Sequence, residues 1–229
     1  MRTLTALTLL ILITVLSYLR ASPIKSQLNQ LLPKESEVLY LPNGDGLEFL
    51  SFGYRNVLAD LLWFNTISYF GKHFRLDRDY TYLAHMCSLI TTLDPHARHV
   101  FEFCALMLAW EANEIEAALA LLDRAVQAEP NFWRYYYLRG MTHSYFFKND
   151  LRARSDFITG AKLPDSPPFM ARLASKKMAL SNPQHAVEFL RDMIATARDE
   201  SQRRALMRQL KKIELEQKNR SLDKFKSRT

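Results

Sequence analysis

Two stretches decide the fold: Ala118-Leu119-Ala120-Leu121-Leu122-Asp123-Arg124-Ala125, closing on Ala128-Glu129-Pro130, and Ala153-Arg154-Ser155-Asp156-Phe157-Ile158-Thr159-Gly160, closing on Leu163-Pro164. In each, a small residue is followed four positions later by a bulky apolar one, and seven positions later by another small one. Both stretches carry apolar residues at three- and four-residue spacing, the period of a helix with one buried stripe. Proline then cannot continue the helix and turns the chain.

The same marks recur along the chain. Pro95, Pro130 and Pro164 stand 35 and 34 residues apart. Ala118, Ala153 and Ala186 form a second series, followed by Leu122, Phe157 and Leu190, then by Ala125, Gly160 and Met193. Ala105, Gly140 and Ala174 form a third. A repeat of this length is the mark of stacked supersecondary units. Small residues let two helices approach closely. A single helical hairpin cannot bury its apolar face alone, so hairpins stack.

Ala118-x3-Leu122-x2-Ala125…Pro130 and Ala153-x3-Phe157-x2-Gly160 resemble the second-helix signature of tetratricopeptide repeats (TPR), and Tyr137-Leu138-x-Gly140 resembles the first-helix signature. The resemblance covers repeats at about 98–131, 132–165 and 166–197, with residues 48–96 as a divergent leading repeat. It implies an all-α fold: a right-handed α-solenoid of TPR-like hairpins over 48–197. Leu39-Tyr40-Leu41-Pro42, Ala59-Asp60-Leu61-Leu62-Trp63 and Thr91-Thr92-Leu93-Asp94-Pro95 are also similar to bacterial membrane-anchored TPR proteins of unsettled role.

Composition agrees with a helical, non-enzymatic reading. Six glycines and nine prolines in 229 residues favour long helices over a turn-rich β fold. The net charge of +7 is concentrated at the end of the chain. Residues 198–229 hold eleven Lys/Arg against five Asp/Glu, a surplus of six. The body is near neutral, which argues against a broadly basic nucleic-acid-binding surface. No phosphate-binding loop, dinucleotide fingerprint, zinc-protease motif or nucleophile elbow occurs. His96-x-x-His99 lacks a carboxylate to complete a metal set. No catalytic, cofactor or metal residue is therefore assigned.

Thr3 to Leu19 is uncharged and mostly apolar, flanked by Arg2 and Arg20. Seventeen helical residues reach roughly 25 Å, the short end for a bilayer. Ser17-Tyr18-Leu19-Arg20-Ala21-Ser22 lacks a clear cleavage pattern, so residues 1–21 read as an uncleaved signal-anchor, with a cleaved signal as the alternative. Residues 22–47, with Pro23, Pro33, Pro42 and Asn43-Gly44-Asp45-Gly46, read as an extended tether with a short strand at Glu37–Leu41. An apolar segment so near the N-terminus exports the chain behind it. The expected location is the inner membrane, with the repeats periplasmic.

Leu47, Leu50, Phe52, Val57, Leu58, Leu61, Leu62, Phe64, Ile67 and Phe70 form a stripe too broad for a helix with one wet face, so this helix is expected to be largely buried. Residues 199–219 read as a basic amphipathic capping helix with Leu206, Leu210 and Ile213 inward, and 220–229 as a frayed end. Cys87 and Cys104 fall on touching helices. Two buried thiols are the expected state, with a disulfide open to an exported protein.

Setting Ala105, Gly140 and Ala174 in register places His99, Glu102, Arg134, Tyr137, Met141, Tyr145, Arg172 and Ser175 on one concave wall. Aromatics and arginine dominate interface hot spots. The expected function is a tethered scaffold that binds a protein or peptide in this groove while a cell-envelope complex assembles. The alternative is a peripheral membrane organiser. It would hold anionic lipid through its basic helix and self-associate into a homo-oligomer through its repeats.

Overall fold

The computed structural model describes residues 53–226, all within Gly44–Thr229, the larger of the chain's two compact units. The anchor at 3–19, the tether at 22–47 and the start of the leading stripe (Leu47, Leu50, Phe52) lie outside the described residues.

The protein is all-α, with nine helices and no strand among the described residues. They are α1 (Arg55–Arg75), α2 (Leu83–Leu93), α3 (Arg98–Trp110), α4 (Ile115–Ala128), α5 (Trp133–Tyr145), α6 (Asp150–Lys162), α7 (Pro168–Ser181), α8 (Pro183–Ala195) and α9 (Glu200–Lys226). The six helices α3–α8 are 13 or 14 residues long. Short connections return each helix against its predecessor, and the main packing partners of each helix are its neighbours one or two places along the chain.

A repeat is written into the backbone as well as the side chains. Arg78, Asn113 and Lys148 hold positive φ (56°, 57° and 50°), each three residues past the end of α1, α3 or α5. They stand 35 residues apart. Left-handed backbone at the close of a helix lets the next N–H groups turn back to the last free carbonyls. The N–H of Arg78 donates to the His73 carbonyl, that of Glu114 to Leu108 and that of Asn149 to His143, at 2.7, 2.8 and 3.0 Å. Asparagine starts two of the second helices. Asn149 Oδ1 accepts the Arg152 N–H, and Asn182 Oδ1 accepts those of Gln184 and His185 ahead of α8, where Pro183 takes the first turn.

The small residues are where close approach requires them. Ala105, Ala118, Ala125, Ala153, Ala174 and Ala186 are all 0–2% exposed. At Gly140 an added Cβ would lie 2.7 Å from the Phe157 ring and 3.2 Å from the Ala153 carbonyl, so α5 and α6 touch there backbone to side chain. Leu122, Phe157 and Leu190, the bulky members of the series, are 0–1% exposed.

A charged clamp ties three helices. Arg139 on α5 donates to Asp156 on α6 at 2.6 Å and to Asp123 on α4 at 2.7 Å. Asp156 is buried, and burial opposes the Arg139 charge, but the Asp156 contacts win and hold the guanidinium above its ordinary value. Asp156→Asn leaves a half-buried guanidinium with half its counter-charge. It should destabilise the fold by about 3 kcal/mol in chemical denaturation; a change under about 0.5 kcal/mol, the range of ordinary surface substitutions, would show the clamp to be idle.

The structure corrects three expectations. First, α1 is only half buried. Ala59, Leu62, Thr66 and Tyr69 face α2, whereas Val57, Leu61 and Phe64 are 55%, 60% and 72% exposed. The leading stripe is broad because it has two faces, and no described helix packs on the outer one. Second, α9 continues to Lys226 instead of fraying from 220. No Gly or Pro interrupts it, and basic residues suit a helix C-terminus. Third, Cys87 and Cys104 are joined in a disulfide rather than held as two thiols. Each lies seven residues from the 94–97 turn between α2 and α3, so the hairpin sets them face to face.

Candidate partner-binding surface

The eight residues expected on one wall do not form one continuous surface. On α3, His99 is exposed and meets Trp63 edge-on at 5.3 Å, while Trp63 also meets Phe103 at 5.2 Å. Glu102 is ion-paired with Arg134 at 2.7 Å. Burial raises the Glu102 carboxyl above its ordinary value and Arg134 pulls it back. This half of the wall satisfies its own charge.

Met141 is half-buried against the core cluster of α6–α9. Tyr145, 51% exposed, sits at the far end of α5 in a separate aromatic group, 4.4 Å from Trp110, with Lys148 over its ring. Ser175 is wholly buried: its hydroxyl donates to the Arg172 carbonyl and accepts from Gln209 Nε2 of α9. It therefore offers nothing to a partner, because α9 covers the face of α7 that carries it.

Tyr137 and Arg172 converge. They open on a cleft of about 560 Å³ between α5, α7 and α9. Its inner surface is apolar: Phe169 packs edge-on against Trp133 and Tyr137 at 5.6 and 5.5 Å, Leu173 and Ile213 continue it, and Leu180, 64% exposed, extends it toward solvent. Its walls are cationic. Arg172 and Lys176 stand one turn apart on α7, and Lys212 and Arg220 face them from α9, with Glu216 between. An apolar concavity with a few convergent polar groups is the ordinary form of a binding site.

The α9 half of this cleft was not foreseen. Lys176 was legible as the i+4 neighbour of Arg172. The place where α9 lies across α7 depends on how Leu206 and Ile213, 0% and 3% exposed, dock on α7 and α8, which no spacing within α9 states.

A second depression of about 310 Å³ lies between α4, α5 and α6, beside Arg139, His143, Arg152, Asp123 and Asp156. Here the Arg139 clamp has already matched the two acids. Burial, opposed by Asp156 and aided by Arg152 and Arg139, lowers the His143 pKa below its ordinary 6.5. The unfolded chain then takes a proton that the folded one refuses, so this histidine costs stability as pH falls from about 6.5. His143→Gln should flatten the drop in melting temperature between pH 7.5 and 5.5; an unaltered slope would remove His143 from that role.

Among the described residues no group of three or more His, Cys, Asp or Glu side chains is gathered as a metal set, and no helix is long and apolar enough to cross a membrane. The class defined so far is an all-helical protein of successive packed helix pairs with an amphipathic cleft. No protein-family profile, curated protein or solved structure matches the chain.

Proposed function

We propose that this chain is a membrane-tethered scaffold: a right-handed TPR-like α-solenoid, anchored through residues 3–19, whose cleft between α5, α7 and α9 binds a protein or peptide during assembly of a cell-envelope complex. The observation that carries the reading is the cleft itself, where Tyr137 and Arg172 meet an apolar floor. The 35-residue recurrence of Arg78, Asn113 and Lys148 and the near-equal length of α3–α8 support the solenoid. The Cys87–Cys104 bond supports a body outside the cytoplasm, since such bonds persist in oxidising compartments.

The test is site-specific photo-crosslinking in cells from position 176, with Tyr137→Ala/Arg172→Ala beside the parent chain. The double substitution should reduce crosslinked partner about tenfold or more, as loss of an aromatic and an arginine anchor does at interfaces. Tyr145→Ala, away from the cleft, should leave it unchanged. Full crosslinking by the double variant would count against the cleft. A C-terminal alkaline phosphatase fusion should be active if the body is exported.

A further inference from the structure

We infer that the occupant of the α5–α7–α9 cleft is an acidic segment of a protein partner, with apolar side chains carried between its carboxylates; this rests on the scaffold reading above. Among the described residues, four cations, Arg172, Lys176, Lys212 and Arg220, and one acid, Glu216, border the cleft, a surplus of three positive charges. None of the four cations has an ion-pair partner among the described residues. Elsewhere arginines are matched: Arg78 to Glu111, Arg98 to Glu129, Arg134 to Glu102, Arg191 to Glu214 and Arg198 to Asp165. Like charges facing each other across a concavity with apolar walls reinforce one another's potential, and the position favours an anion.

The floor selects further. Phe169, Leu173, Leu180 and Ile213 offer no hydrogen bonds, so a ligand that is only charged leaves them wet. The arrangement fits a segment with apolar residues down its middle and acids to both sides. Arg172 to Leu180 rises about 12 Å along α7, which matches about two turns of helix or four extended residues. A planar bilayer does not fit. Ile213 is 3% exposed and Phe169 and Leu173 are half-buried in the lining of a concavity, where a flat surface makes little contact.

The test uses the full chain in non-ionic detergent and fluorescein-labelled peptides read by fluorescence anisotropy. A Leu-Glu-Glu repeat peptide should bind, and Leu-Lys-Lys and Gly-Glu-Glu peptides should bind about tenfold more weakly or worse. Arg172→Glu/Lys212→Glu should lose the Leu-Glu-Glu peptide and gain the Leu-Lys-Lys one. Both positions are exposed; Arg172→Gln/Lys212→Gln, checked by circular dichroism, serves if the reversal disturbs folding. Equal binding of acidic and basic peptides, or indifference to charge reversal, would overturn the inference. So would binding of phosphatidylglycerol vesicles or oligouridine, lost in the same variants, with no peptide bound. If crosslinking still depends on Tyr137 while the basic peptide is preferred, the scaffold reading stands and only the partner's charge is wrong. If no peptide binds and crosslinking ignores Tyr137, both fail.

Discussion

Melting of the chain after unfolding in denaturant with reductant and refolding as the dithiol should occur about 6–12 °C below that of the oxidised chain. Cys87 and Cys104 are separated by 17 residues and join α2 to α3. Closing a loop of that size removes freedom from the unfolded chain worth about 3 kcal/mol. For a domain of this length each kcal/mol moves the melting point by roughly 2–4 °C. Such a loss is a large part of the total stability of a typical domain, about 5–15 kcal/mol. Reductant added to the folded protein should act slowly, because both cysteines are 0% exposed and open only with the hairpin. Cys87→Ala/Cys104→Ala should melt near the reduced form. Identical melting of oxidised and reduced chains would mean that α2 and α3 need no tie.

Gly140→Leu is expected to destabilise by about 3 kcal/mol or more, the upper part of the range for overpacking a core. Gly140→Ala is the more informative change. Alanine favours helix over glycine by about 1 kcal/mol, which opposes the clash. The new Cβ meets the buried Phe157 ring at 2.7 Å and the Ala153 carbonyl at 3.2 Å. Phe157 is 1% exposed and has nowhere to move, so the clash wins and Gly140→Ala should still destabilise. Phe157→Leu in the same chain should recover part of that loss, a coupling that a double-mutant cycle reads directly. Gly71, inside α1, is the control. An added Cβ there meets nothing within 4 Å, so Gly71→Ala should stabilise by up to about 1 kcal/mol. Gains at both glycines would refute the close packing of α5 on α6.

Where sequence and structure agree, the reason is local. Ala118, Ala153 and Ala186 announce buried helix faces because their spacing from Leu122, Phe157 and Leu190 is set within one helix. The misses are tertiary. Val57, Leu61 and Phe64 read as core because apolar spacing cannot say whether a second neighbour exists. Ser175 read as wall because the register of α7 does not contain the position of α9. Tyr137 and Arg172 come from the repeat register; Lys212 and Arg220 read as tail charge, and only the fold-back of α9 brings them to the same cleft.

Among the described residues the helices lean chiefly on neighbours one or two places along the chain. A protease or a pulling force therefore need not confront the molecule all at once. It can peel one hairpin from an end at the cost of that hairpin's own seams while the middle persists. The covalent tie between α2 and α3 places a reinforced pair directly behind α1. Load entering at α1 can free that helix, but it then meets a linked pair before it meets the rest.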